Sequence, residues 1–461
     1  MTSNVSRRDF VAGTAAGLVL AGNPGLAAGR PRLRLAIVGT GIRGISFWGE
    51  FINGSYADVV EFVALCDTNP GRLAYAKRSI GVNCPTFTDI DAMLDAVSID
   101  TLVVTTVDAT HHTLIVKALE RDIDVITEKP MTTDETQCQA VLDAAGKSRG
   151  RLLVGLNYRY GKIFSELKER LNAGRIGKLT SIDFNWYLNV HHGASYFRRW
   201  HGIREHGGTL LVHKSAHHFD LLNWWIGADP VEVHAYGALE HYGANNAFRG
   251  ERCMDCEHAA DCAYYWDMRS NQRMMDLYHA HEAHDGYIRD ACLWREVIDI
   301  YDKMAVQIRY ANGVQVSYSL TTYSPYEGFR LGFNGTDGRM ETWEGVPSLM
   351  AVQHDQATLH DKEMDQHGNR HAELEYHEIV TQQNFAPFER ERLPYVRAGH
   401  WGGDRLMADY LFRGHSDRPE LKQQAGLRDG ALSVLVGIAA RRSIDEGRPV
   451  RIADLTNLEL S

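Results

Sequence analysis

Short apolar, β-branched runs alternate with stretches of helical spacing through the first third of the chain. Arg34-Leu35-Ala36-Ile37-Val38, Glu61–Cys66, Thr101–Thr106, Asp124–Thr127 and Leu152–Gly155 read as strands. Between them Ile90–Val97, His111–Arg121 and Thr132–Ser148 carry apolar residues three or four apart, and Thr133 or Asp134 is placed to cap the third. Strand and helix in alternation predict an α/β domain built on a doubly wound parallel sheet. Past Tyr301 the period falls to two. Met304–Tyr310 and Val314–Thr321 flank Asn312-Gly313, a hairpin signal, and Phe329–Asn334 pairs with Arg339–Trp343 around Thr336-Asp337-Gly338. These hairpins predict an antiparallel sheet. Ala351–Glu391 is polar and poorly periodic, so only an irregular excursion is expected there.

Composition narrows the classes. With 44% apolar and 23% charged residues in 461, neither a disordered chain nor a multispanning membrane protein fits, and the length suits two to three domains. A formal net charge of −10 leaves no overall attraction for nucleic acid or an anionic membrane. The first residues are a separate matter: Ser6-Arg7-Arg8-Asp9-Phe10, the apolar Val11–Ala21 and the small residues Gly25-Leu26-Ala27-Ala28-Gly29 read as n-region, h-region and cleavage site. The segment resembles a twin-arginine export signal over residues 1–29. That resemblance implies recognition by the twin-arginine machinery and a periplasmic or secreted protein exported already folded, often with a cofactor inside.

The first strand runs into Gly39-Thr40-Gly41-Ile42-Arg43-Gly44, followed by the apolar face of a helix. Gly39, Gly41 and Gly44 allow a tight turn, close backbone approach to a pyrophosphate and helix packing, and the N–H groups around Ile42 and Arg43 face the anion. The second strand ends at Asp67, placed to take ribose hydroxyls and to favour NAD, while nearby Arg72 keeps NADP open. Ligands of such sheets bind beyond the carboxyl ends of the strands, so Thr106, His111, Glu128, Lys129 and Asn157 are expected to line the same cleft.

At this point the sequence resembles the glucose-fructose oxidoreductase, inositol dehydrogenase and rhizopine catabolism (Gfo/Idh/MocA) family over nearly the whole mature chain. The resemblance rests on the glycine turn, Glu128-Lys129-Pro130, Asn157-Tyr158-Arg159, Gly207-Gly208 with His217 and Asp220, and the ending Ser443–Val450. It implies a Rossmann domain over residues 30–155 and a C-terminal α+β domain over 156–461, built on an open, mostly antiparallel sheet that often mediates oligomers. A homodimer or tetramer is therefore expected. It further implies that Lys129 contacts the reacting oxygen and that His217 is the general acid/base. The family usually carries aspartate four residues before that histidine; here the position is His213, followed by Lys214. Three readings follow: a changed proton relay, a metal-binding histidine pair at i and i+4, or a structural role for His213. Lys214 is either a surface cation or a buried substrate contact.

Histidines and aromatics crowd residues 186–225, and flat rings with fixed donors suit carbohydrates. Tyr187, Trp200, His201 and Arg159 are expected in the pocket wall, and Trp224 and Trp225 partly in a helix core. Tyr158 is a further candidate base. Cys253, Cys256, Cys262 and Cys292 fall in a polar insertion at about residues 245–295. Their spacing fits a structural zinc site, with His258 able to stand in for Cys292; an iron–sulfur site, a disulfide or free thiols are the alternatives. His400-Trp401-Gly402-Gly403-Asp404 either returns to the active site or starts a helix.

Three functions remain. The leading one is an exported NAD-dependent oxidoreductase that moves hydride between a sugar ring carbon and nicotinamide. The second is a glycoside-cleaving lyase or hydrolase that keeps its NAD and works through a transient keto-sugar, with His213 or Tyr158 as the base. The third is a non-catalytic sugar-binding protein with NAD as a fixture.

Overall fold

The computed structural model describes residues 31–346, 376–395 and 399–460. The stretch read as an export signal lies outside the described residues. Six strands, β1 (Leu33–Val38), β2 (Val60–Cys66), β3 (Thr86–Phe87), β4 (Thr101–Val104), β5 (Asp124–Thr127) and β6 (Leu152–Val154), form one sheet in the order β3-β2-β1-β4-β5-β6. Every neighbouring pair is parallel. Helices cover both faces, which is why Leu35, Ala36, Ile37, Leu102, Val103 and Val104 are wholly buried without polar alternation. Side chains cap three of the helices: Asn69 for Pro70–Ile80, Asp89 for Ile90–Ala96 and, of the two residues the sequence offered, Asp134 rather than Thr133 for Glu135–Ala145. Strand order reverses between β1 and β4, and the glycine turn lies at that switch point.

The second sheet contains β7 (Leu179–Asn189), β8 (Pro230–Ala238), β9 (Lys303–Tyr310), β10 (Gln315–Ser324), β11 (Gly328–Gly335), β12 (Gly338–Glu344), β13 (Tyr376–Gln383), β14 (Phe388–Pro394) and β15 (Val450–Arg451). Their order is β14-β13-β12-β11-β7-β10-β9-β8-β15, with β7 and β10 parallel and the other pairs antiparallel. β9 shows the logic: Met304, Val306, Ile308 and Tyr310 face inward while Lys303, Ala305, Gln307 and Arg309 face out. Helices Ser215–Ile226 and Leu427–Glu446 pack together, and the longer one also packs on β8. No helix among the described residues is long and apolar enough to cross a membrane.

One expectation is corrected. The end of the stretch expected to be irregular forms the β13–β14 hairpin. β14 is an edge strand with no buried residue, so the alternation that marks a half-buried strand is missing from its sequence.

Candidate active site

The glycine turn is built by contact. A Cβ on Gly39, whose φ is +96°, would lie 2.6 Å from the Thr105 carbonyl carbon, and one on Gly44 would lie 2.3 Å from the Gly39 oxygen. Beside Gly41 the nearest atom to an added Cβ is the Tyr278 hydroxyl, at 3.6 Å, so this glycine faces out of the turn. The small backbone there fits the close approach of a dinucleotide pyrophosphate, and the Ile42 N–H of the turn donates to the Tyr278 hydroxyl (3.0 Å). Asp67 stands beside it, one oxygen accepting from Thr40 N (2.7 Å) and Oγ1 (2.9 Å) and the other from Asn69 N (2.8 Å), with Arg72 at 3.7 Å. Asp67 therefore braces the turn.

Arg43 has a second partner set. Its guanidinium donates to Glu128 (2.6 Å) and bidentately to Asp404 (2.7 and 2.8 Å), while Trp48 Nε1 also donates to Glu128 and Asn157 Nδ2 to Asp404 (2.6 Å). Burial pushes Asp404 up, but Arg43 and His400 hold it well below the carboxylate range. Both readings of residues 400–404 hold: helix Gly403–Arg413 starts there, and Asp404 and His400 reach the site. His111 bonds the carbonyl oxygens of Pro130 (2.9 Å) and Thr106 (3.1 Å), tying the ends of β4 and β5 together. Thr106 is partly exposed and shares a hydrogen bond with Thr110.

Lys129 sits at the centre. Its Nζ lies 3.0 Å from His213 Nε2, and His213 Nδ1 lies 2.5 Å from Asp108 Oδ2. The family's missing carboxylate is thus replaced by an imidazole with a carboxylate from the end of β4 behind it. Burial and the cations Lys129 and Arg199 hold His213 neutral, so Nε2 accepts from the ammonium. Burial also lowers Lys129 below the ordinary lysine value and raises Asp108 well above the carboxylate range. His217 stacks on Tyr158 at 4.1 Å between ring centroids, and Lys214 Nζ is 3.1 Å from the Tyr158 hydroxyl. Trp200 stacks on His201 at 3.5 Å, and His201 meets His213 edge-on at 4.2 Å. Lys214 is 3% exposed, buried against Tyr158 and Trp186 and so not a surface cation.

His201 and His217 are buried, each with an Nδ1 lacking a hydrogen-bond partner among the described residues, and burial with nearby cations holds both well below the ordinary value. The unfolded chain therefore binds more protons than the folded one below about pH 6.5. Stability is full above that pH and falls on acidification, by up to about 1.4 kcal/mol per pH unit for each ring. Urea midpoints measured from pH 7.5 to 5 check this, and the His201→Asn variant is expected to flatten the slope.

Two expected pocket residues lie elsewhere. Arg159 is engaged by Asp220 (2.6 and 2.8 Å) and Asp429 (2.8 Å) in a buried ion cluster beneath the helix carrying His217. Tyr187 points to the outer face of the sheet against Tyr326; the strand's inward residue is Trp186, stacked on His218 at 4.1 Å. A one-residue step along a strand reverses the face. Asp108, Tyr196 and Tyr278 were not singled out, whereas His400 and Asp404 lie in the stretch offered as returning to the site. Asp108 lies directly past β4, where site residues of such sheets gather, and that position was the available signal.

The zinc reading is corrected as well. The four cysteines line one small cavity with Arg198, Tyr264 and Trp294. Among the described residues, however, no group of three or more His, Cys, Asp or Glu side chains is arranged to hold a metal ion, and all four thiols are free. Arg198 donates to Cys253 Sγ (2.7 Å) and Trp294 N to Cys292 Sγ (3.4 Å). Fully buried Asp290 does the cross-linking instead, accepting from Arg252 (2.7 Å) and Met254 N (2.9 Å) while its carbonyl takes Cys253 N–H.

A parallel sheet with a glycine turn at its switch point, with Lys129 just past β5 and His217 on the helix Ser215–Ile226 of the second domain, is the framework of a dinucleotide-binding oxidoreductase fold. The chain belongs to the Gfo/Idh/MocA oxidoreductase family: residues 33–156 match its NAD-binding Rossmann fold and residues 168–452 its C-terminal alpha/beta domain. It is 35% identical over 445 residues to YteT of Bacillus subtilis (strain 168), which carries an oxidoreductase name, covering 92% of this chain and 99% of YteT. To inositol 2-dehydrogenase of Salmonella typhimurium it is 25% identical over 205 residues, 44% of this chain and 57% of that enzyme. The solved structure of levoglucosan dehydrogenase with NADH and L-sorbose superposes with a TM-score of 0.63 at 15% identity, covering 92% of this chain and 99% of that one, a likeness of fold.

Proposed function

We propose that the protein is an NAD-retaining oxidoreductase acting on a ring hydroxyl of a sugar or sugar derivative, and that it works after export. The observation that carries the chemistry is the line Asp108–His213–Lys129 beside His217, at the mouth of the glycine turn. Gly39, Gly41, Gly44, Asp67 and Glu128 would hold the dinucleotide, whose nicotinamide supplies the hydride acceptor when bound. Neutral His217 takes the proton of the substrate hydroxyl. Lys129, kept in place by His213, stabilises the oxygen as charge develops on it. Asp108 holds the tautomer of His213 that leaves Nε2 free to accept from the ammonium.

Retention of the cofactor is supported by the insertion. Ile42 N–H donates to the Tyr278 hydroxyl (3.0 Å), Asn69 Nδ2 donates to the His281 carbonyl (2.9 Å), and Arg72 pairs with Asp285. Gly71 admits this contact, since a Cβ there would lie 2.2 Å from the His281 ring. The insertion thus closes over the edge where the dinucleotide binds. Tyr278→Phe is expected to speed NADH release about two- to tenfold, the loss of one hydrogen bond, measured by stopped-flow fluorescence. A clasped cofactor also favours the second reading, glycoside cleavage by a closed redox cycle.

One experiment tests both. The purified protein is denatured and the released nucleotide identified by mass spectrometry, and the same preparation is given sugars and glycosides without added cofactor. Stoichiometric NAD(H) is expected. Cleaved glycoside then makes the closed cycle the reaction, whereas an empty protein that accumulates NADH only with added NAD makes it an ordinary dehydrogenase.

A further inference from the structure

The insertion brings a charged group to the dinucleotide site as well as Tyr278. Arg72 lies on the helix Pro70–Ile80 that follows β2, its side chain 12% exposed, with two carboxylates beside its guanidinium. Asp67, directly past β2, is 3.7 Å from Nη2, and Asp285, 213 residues further along the chain, accepts a hydrogen bond from that same nitrogen. The other Asp285 oxygen accepts from Tyr287 N (3.2 Å), and just before it Asn69 Nδ2 donates to the His281 carbonyl (2.9 Å), so the segment is pinned where the pair forms. Burial pushes Asp285 up, yet Arg72 holds it below the usual carboxylate value, and it stays charged. Asp67 is largely committed: Oδ2 takes Thr40 N and Oγ1 and Oδ1 takes Asn69 N, which leaves about one of its four acceptor positions.

In Rossmann sheets an acidic residue past the second strand takes the ribose 2′-hydroxyl of NAD, or an arginine nearby accommodates the 2′-phosphate of NADP. Arg72 has the place in the chain for that second role, and its donor fork matches a phosphate. With Asp285 on it, one guanidinium stands between two carboxylates. An incoming 2′-phosphate would meet net negative charge and would have to displace a carboxylate from the guanidinium that could bind it. We propose that Asp285 is a specificity-determining residue: by holding Arg72 it withholds the guanidinium from a 2′-phosphate and restricts the site to NAD. This rests on the dinucleotide-oxidoreductase reading of the same site, and it gives the insertion a role in the choice of cofactor beside its role in retention.

The test is competition for the site. Purified protein is equilibrated with NADH and NADPH at equal concentration until the bound ratio is constant, freed of unbound nucleotide and denatured, and the two released cofactors are counted by mass spectrometry. The parent is expected to hold NADH almost alone. In Asp285→Asn and Asp285→Ala the ratio is expected to move toward NADPH by about tenfold or more, the strength of one charge-assisted hydrogen bond. Adding Arg72→Gln to Asp285→Ala is expected to cancel that gain, since the released guanidinium causes it. Tyr278→Phe loosens the same segment without touching its charge; it should weaken both nucleotides alike and leave the ratio unchanged, which separates loss of the clasp from loss of the carboxylate. An unchanged ratio in both Asp285 variants, a gain that survives Arg72→Gln, or a parent that takes NADPH as readily as NADH overturns the proposal. A ratio that moves with Asp67→Asn and not with the Asp285 variants assigns the choice to Asp67 and overturns it too. Failure of the broader reading shows separately, as protein that retains neither nucleotide.

Discussion

Lys129→Met is expected to lower kcat by about a thousandfold while leaving the fold and dinucleotide binding intact. Under the proposed function its ammonium, held by His213 and Asp108, is the cation that meets the reacting oxygen, and methionine keeps the length of the side chain without the charge. Asp67, Gly39, Gly41 and Gly44 are untouched, so NADH titration of the variant should match that of the parent. Single-turnover hydride transfer checks the claim. A variant that keeps its rate removes Lys129 from the chemistry, and with it the relay drawn through His213. Asp108→Asn is the graded control: the amide still bonds His213 Nδ1 but does not enforce its tautomer, so an intermediate loss with a shifted pH profile is expected.

Arg159→Met should unfold the protein more readily by about 3–5 kcal/mol, because it strands a buried carboxylate. Asp220 is 1% exposed, and burial already raises it to about 6 with Arg159 in place. The sign follows from that shift. The folded state holds the Asp220 proton more tightly than the unfolded one, so the deficit of the variant should shrink as pH falls from 7 to 5. Urea titrations at both values measure it. Adding Asp220→Leu should restore much of the loss, since an apolar pair in place of a buried ion pair is often neutral. A change in sugar affinity with stability unchanged would instead return Arg159 to the pocket wall.

The two cases show where sequence reading stops. The parallel sheet was legible because its longer strands are largely apolar runs separated by stretches of helical spacing, and the glycine turn because its spacing is chemical. Lys129 and His217 came from the family resemblance, and His213 from the departure from it. The place of Arg159 had no such signal: nothing near it in the chain says that Asp220 and Asp429 meet it underneath the helix. Tyr187 and Trp186 were exchanged because two adjacent aromatics on a strand carry no mark of which face is wet. Asp108 and Tyr278 are brought to the site by tertiary structure, from the end of β4 and from an insertion with little periodicity. The cysteines show the converse, since metal-like spacing was real and yet Asp290 fixes that segment.

The Arg43–Asp404 pair has a consequence for how the protein is made. The two residues are 361 apart in sequence, and Arg43 belongs to the glycine turn itself. Until the ribosome has delivered Asp404, the guanidinium of the turn lacks the bidentate partner that fixes it, and bringing such distant groups together carries the entropy of closing a long loop. The turn therefore takes its final form only after residue 404 has been made, an order set by chain connectivity.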